Sequence, residues 1–174
     1  MISCGNLAPV PVTEPARLDG GALRGALGQF ATGVAVVTTR GLDGRGVGLT
    51  INSFTSVSLD PPLVAWSLSQ QSGNLAHFLA ARTIAIQVLS AGQEAIARRF
   101  SASPSERFAG LAVEIGPGGV PLLGGVIARF VCAPESRHQA GDHTLFIARI
   151  AQWKRFPGEP LLYHGSQYCR VRFP

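Results

Sequence analysis

The run Val34-Ala35-Val36-Val37-Thr38-Thr39 has uninterrupted strand character. Its β-branched side chains pack well on a pleated surface and lose freedom in a helix. A turn at Gly41-Leu42-Asp43-Gly44 follows and Gly46 to Ile51 returns, so the two stretches read as a hairpin. Leu63 to Leu68 makes a third strand, and Thr83 to Leu89, Val126 to Cys132, Thr144 to Trp153 and Leu161 to Val171 supply others. Helical spacing is confined to short pieces. Leu23, Ala26, Leu27 and Phe30 form one stripe that Gly33 ends, and Leu75, Phe78 and Leu79 follow a cap at Ser72. Ser90-Ala91-Gly92-Gln93 has capping-box spacing and opens a helix towards Phe100. Many strands with a few short helices predict a mainly β chain, a closed or nearly closed barrel with helical insertions, and not a doubly wound sheet. No Gly-x-Gly-x-x-Gly lies between a strand and a helix, so the Rossmann fingerprint is missing.

With 174 residues, 46% hydrophobic and 14% charged, the chain suits one well-buried core. Residues 1–21 mix Pro, Gly and polar side chains without a basic start and an apolar run. They read as a flexible arm instead of a signal peptide, leaving 22–174 as the domain. No stretch approaches the length of a membrane span, so no membrane partner is expected. The net charge of +5 comes mostly from scattered arginines, with Lys154 the only lysine and Arg98-Arg99 the longest basic run. Without interleaved aromatics this is no nucleic-acid platform, and the positive field better suits anionic small molecules such as dinucleotides. Cys4, Cys132 and Cys169 form no close pair and no metal spacing, which points away from disulfides and zinc and towards a reducing cytoplasm.

Chemistry is concentrated in Asn52-Ser53-Phe54-Thr55-Ser56-Val57-Ser58-Leu59-Asp60-Pro61-Pro62-Leu63. Small hydroxyl residues there offer amides and alcohols to a planar, hydrogen-bonding ligand that carries phosphate. The alternative is a polar edge strand whose hydroxyls satisfy their own backbone. Lying between two apolar strands, the segment needs partners, and a ligand is one candidate. Ser67, Ser69 and Ser72 lead into a helix start, which is either an anion site or an ordinary cap. Gly141-Asp142-His143-Thr144 places a histidine at the mouth of an apolar strand, with capping of the turn as the alternative for Asp142. Tyr163 and His164 are candidates for lining a groove, and Arg107-Phe108 sets a cation and a ring beside Gly110. His138 and His143 are five apart in what reads as a loop, matching neither helical nor strand spacing for shared ligation, so no metal site is expected.

Five pieces occur in order: Thr32-Gly33-Val34-Ala35-Val36-Val37-Thr38-Thr39, the Asn52–Leu63 segment, Arg107-Phe108-Ala109-Gly110, Gly141-Asp142-His143 and Pro160-Leu161-Leu162-Tyr163. Through them the chain, from about Leu23 to Val171, resembles the short-chain NAD(P)H:flavin reductases. The resemblance implies an FMN-binding split β-barrel, Greek-key-like with a few short helices. It also implies hydride transfer from NADH or NADPH to FMN or FAD, a homodimer with flavin near the subunit interface, and reduced flavin passed to a partner flavin-dependent monooxygenase. Asn52, Ser53, Phe54, Thr55 and Ser56 would contact the isoalloxazine and ribityl chain, with Ser67, Ser69 and Ser72 by the phosphate. His143, as the catalytic residue, would border the nicotinamide groove with Tyr163 and His164, while Arg107 and Phe108 would help hold a phosphate or adenine. Such hydride chemistry belongs to the cofactors; the protein stacks the rings and places donors where negative charge develops.

Two positions depart from the family pattern. Gln70-Gln71 stands where relatives carry Lys or Arg, so the phosphate charge must be met from elsewhere, and Ala148 stands where glycine is frequent, a methyl expected to crowd the groove. Alternatives are a non-enzymatic FMN-binding electron carrier on the same barrel, or a binder of another phosphorylated heterocycle such as pyridoxal phosphate.

Overall fold

The computed structural model describes residues 19–102 and 107–171. Of the arm expected over 1–21, all but Asp19, Gly20 and Gly21 lies outside the described residues. The strands are β1 (Thr32–Gly33), β2 (Ala35–Arg40), β3 (Gly46–Ile51), β4 (Thr55–Leu59), β5 (Pro62–Ser69), β6 (Ile84–Val88), β7 (Val113–Ile115), β8 (Pro121–Leu123), β9 (Ala128–Ala140), β10 (His143–Arg155), β11 (Leu161–His164) and β12 (Gln167–Arg170). The helices are α1 (Gly20–Leu27), α2 (Leu75–Ala80) and α3 (Glu94–Ser101). No helix among the described residues is long and apolar enough to cross a membrane.

A seven-stranded antiparallel sheet runs in the order β3-β2-β6-β9-β10-β5-β4, a three-stranded sheet in the order β1-β11-β12, and β7 pairs with β8. Since β3 and β4 end the main order, hydrogen bonding does not close the sheet on itself. The small sheet is tied to the large one where Val34, Leu89 and Leu161 meet. Val34 N–H donates to the Leu161 carbonyl at 3.1 Å, Leu89 N–H to Val34 at 2.9 Å, and Leu161 N–H to Leu89 at 3.0 Å.

That junction explains the uninterrupted apolar run in β2. Ala35 and Val37 face a core built around Trp66, Ile86 and Phe146, while Val34 and Val36 face a second core with Leu89, Phe100 and Leu161. A strand buried on both faces has no reason to alternate. Its buried hydroxyls are satisfied: Thr38 Oγ1 donates to the Pro121 carbonyl at 2.7 Å and accepts from Gln87 Nε2 at 3.2 Å. Gln87 Oε1 in turn accepts from Leu123 N–H at 2.6 Å, so one buried amide pins β8 against β6.

Several boundaries differ from the sequence reading. α1 stops at a Gly28 cap, before Gly33. The capping box at Ser90 is present, with Gln93 Oε1 accepting from Ser90 N–H at 3.0 Å. The α2 cap position belongs to Asn74; Ser72 Oγ instead accepts from Asn74 N–H at 3.3 Å, within the preceding turn. β9 and β10 each run 13 residues, so His138 lies on a strand and not in a loop. Past Cys132, β9 is mostly open to solvent, and its polar residues erase the apolar signal by which a strand is recognised. The last strand is a hairpin, β11 and β12, turned at Gly165 and Ser166 with φ of 54° and 64°.

Candidate active site

α3 lies across the exposed edge of the main sheet, with Thr50 Oγ1 on β3 donating to the Ala97 carbonyl at 2.7 Å. Two glycines on β3 admit aromatic rings there. A Cβ at Gly48 would sit 2.7 Å from the Phe100 ring and 3.1 Å from the Phe108 ring, and one at Gly46 would sit 3.2 Å from Phe108. The two rings meet edge-on at 5.0 Å. Beside them the Arg107 guanidinium donates to the carbonyls of Gly48 and Ala102, while its Nε is buried with no partner among the described residues. Burial draws the Arg107 pKa below its ordinary value.

These elements enclose two cavities. The larger, about 1130 Å³, lies between β3, the β5–α2 connection and Arg107-Phe108, and is lined by Ser69, Gln71, Ser72, Gly73, Asn74 and Arg45 among others. The smaller, about 650 Å³, is lined by Asn52, Arg98, Tyr163, Gln167 and Tyr168. Thr50 and Ser101 line both, so the two spaces adjoin. Each is of the size that ligand sites have, roughly 300–1,000 Å³ and somewhat beyond for the larger.

The structure thus gathers Ser69, Ser72, Arg107 and Phe108 in one cavity, and Asn52 with Tyr163 in the other. Other residues singled out from the sequence fall elsewhere. Ser53 Oγ accepts from Ser67 N–H at 3.0 Å and donates to the Ser67 carbonyl at 3.3 Å, and Thr55 Oγ1 donates to the Ser56 carbonyl at 3.3 Å. At those two positions the hydroxyls serve the backbone, as the edge-strand alternative has it, and β4 is an edge strand. Phe54 packs against Phe130 with ring centroids 5.6 Å apart, and Ser56 is exposed on β4.

His143, Ser67 and His164 line neither cavity. His143 is the register partner of Ser69 across β10 and β5, so it borders the larger cavity through that serine. Its Nδ1 is 2.7 Å from Asp142 Oδ1, a hydrogen bond that holds the Asp142 carboxyl below the usual carboxylate range. His164 is exposed on β11. His138 Nε2 lies 2.9 Å from Ser136 Oγ, and among the described residues no three His, Cys, Asp or Glu side chains are placed to share a metal.

Both departures noted in the sequence acquire a location. Gln70 turns away to the β9–β10 turn, its N–H donating to the Asp142 carbonyl at 2.9 Å, while Gln71 lines the larger cavity. Positive charge comes from the opposite wall, through Arg45 and Arg107. The Ala148 methyl, expected to crowd a groove, is buried in the main core instead, because alternation along β10 puts Thr144, Phe146 and Ala148 on the inner face. Sequence reading missed Thr50, Arg98 and Ser101. Arg98 was legible only as half of a short basic run, since nothing local says which face of α3 meets a cavity.

The geometry defines a split, mainly β fold with two adjoining cavities at its open edge. Residues 27–172 match the flavin reductase like domain, and the chain belongs to that family. It is 43% identical over 147 residues to an FMN reductase (NADH) of Agrobacterium fabrum, covering 84% of this chain and 83% of that protein. The reductase component of a flavin-dependent trigonelline monooxygenase from Acinetobacter baylyi is 38% identical over 146 residues, where the match covers 84% of this chain and 47% of the longer relative. An NADH:FAD oxidoreductase of Streptomyces globisporus, solved with NAD and FAD fragments, superposes with a TM-score of 0.84 at 37% identity, covering 88% of this chain and 93% of that one.

Proposed function

We propose that the chain is a flavin reductase, oxidising NADH or NADPH and reducing FMN or FAD. The observation that carries this reading is the pair of adjoining cavities, each with arginine in its lining, on a backbone like that of an oxidoreductase solved with NAD and FAD fragments. When both ligands are bound, hydride passes from the nicotinamide to the flavin; the chain supplies orientation and charge.

The larger cavity fits a flavin phosphate. Ser69, Ser72 and the Gly73 amide offer hydrogen bonds, Arg45 and Arg107 offer charge, and the Arg107 Nε, without a partner among the described residues, awaits an acceptor. Asn52 would reach the ring from the junction. Ser53 and Ser67 would act by holding that segment against β5, and Phe54, Thr55 and Ser56 by shaping the edge beside it. Tyr163 would wall the nicotinamide side, with His164 at its outer rim. His143 would stand at the Ser69 rim with its imidazole oriented by Asp142.

Anaerobic mixing with NADH or NADPH tests the activity. Bleaching of the flavin absorbance over many turnovers is the expected result. A stable yellow protein inert to both donors would leave only the electron-carrier reading. Reduced flavin would then serve a separate flavin-dependent monooxygenase, as in the relative whose name describes a monooxygenase reductase component.

The chain would also pair with a second copy. Leu59 and Val57, 92% and 51% exposed, stand on the edge strand β4 beside the flavin segment, where an uncovered apolar edge invites a partner. Light scattering should return twice the 18.3 kDa of one chain; a single-chain mass at micromolar concentration would contradict the pairing.

A further inference from the structure

Two phosphate-bearing ligands must be neutralised in this site, and the cations facing them are divided. Arg45 and Arg107 line the larger cavity, whereas among the described residues Arg98 is the one cation lining the smaller. Arg98, though its side chain is exposed, touches two neighbours. Its guanidinium carbon lies 5.0 Å from the centroid of the Tyr168 ring, which itself meets Tyr163 edge-on at 5.3 Å. Glu94 Oε1 receives Nε at 2.9 Å and Nη2 at 2.7 Å, one helical turn away. That arrangement occupies one edge of the guanidinium, and Nη1 has no acceptor among the described residues. A planar donor fork fixed on an aromatic face suits a diphosphate better than it suits a ring.

Resting on the flavin reductase reading, we infer that Arg98 binds the diphosphate bridge of the nicotinamide dinucleotide in the smaller cavity and sets affinity for that substrate. It is a binding residue and takes no part in the hydride step. Glu94 opposes it, since its carboxylate already neutralises part of the charge that an incoming phosphate would meet. Arg98 and Glu94 should therefore act with opposite signs.

The test compares the full chain and its variants with two hydride donors, NADH and the phosphate-free 1-benzyl-1,4-dihydronicotinamide, at saturating FMN. Arg98→Ala should raise KM for NADH by about 10- to 100-fold, the effect of losing a charged hydrogen bond. Under the same conditions kcat and the rate with the phosphate-free donor should change less than about twofold, and FMN affinity by fluorescence titration should hold. Arg98→Lys should recover part of the loss, and Glu94→Gln should lower KM for NADH by roughly 2- to 5-fold. Equal losses with both donors, an unchanged KM for NADH in folded Arg98→Ala, or a loss of FMN affinity instead would overturn the assignment. Failure of the flavin reductase reading is distinguishable, because the wild-type chain would then oxidise neither donor.

Discussion

Trp66→Ala is expected to lower unfolding free energy by about 3–5 kcal/mol, a large fraction of the roughly 5–15 kcal/mol typical of a domain. Trp66 is fully buried at the centre of the main core. Its ring stacks on Phe146, its register partner on β10, with centroids 4.4 Å apart and planes within 11°, and meets Phe78 edge-on at 5.1 Å. Truncation would leave a cavity between β5, β10 and α2 that these large neighbours cannot fill. The indole Nε1, however, is buried with no hydrogen-bond partner among the described residues. Trp66→Phe removes that orphan donor along with some volume, so its cost should be well below half that of the alanine variant. Urea denaturation at constant m checks both. Similar losses in the two variants would mean that the indole nitrogen has a partner after all, and a loss under about 1 kcal/mol for alanine would remove Trp66 from the core.

Gly48→Val is expected to damage stability and flavin affinity together. Any Cβ at this position meets the Phe100 ring at 2.7 Å, and Phe100, on α3, is buried in the second core, so the ring has little room to withdraw. Overpacking of this kind costs about 1–3 kcal/mol. The displacement would reach the ligand site because the Gly48 carbonyl also holds Arg107 and the Phe108 ring lies on the same glycine. Flavin affinity should fall by about tenfold or more. Gly92→Ala supplies the contrast, since a Cβ there has nothing within 4 Å. Its stability should stay within about 0.5 kcal/mol of the parent and its flavin titration should be unchanged. If Gly48→Val titrates like Gly92→Ala, the larger cavity is not where flavin binds.

The strands were legible wherever one of two patterns held. β2 announces itself by a β-branched run and β3 by the return after a Gly/Asp turn, and both appear within a residue of the expected place. The capping box before α3 was equally readable, because Ser90 and Gln93 are three apart and interact locally. The part of β9 beyond Cys132 was not, as residues such as Glu135, Arg137 and His138 carry no apolar alternation. For the site, residue chemistry narrowed the candidates without dividing them. Nothing in the order of residues says that the Ser53 hydroxyl is taken by the Ser67 backbone while Ser69 opens into a cavity.

Sequence by itself determined the material: a mainly β chain, its hairpins, and a flavin-type stock of amides, hydroxyls and arginines, since propensity and turn chemistry act between near neighbours. Only the tertiary structure decided which of those groups share a space. Arg98 on α3 faces Tyr163 and Tyr168 from the small sheet, and Arg107 faces Ser69 and Ser72 across β3. Those meetings depend on where α3 crosses the sheet edge and on two glycines small enough to let the aromatic rings settle there, contacts between residues far apart in the chain.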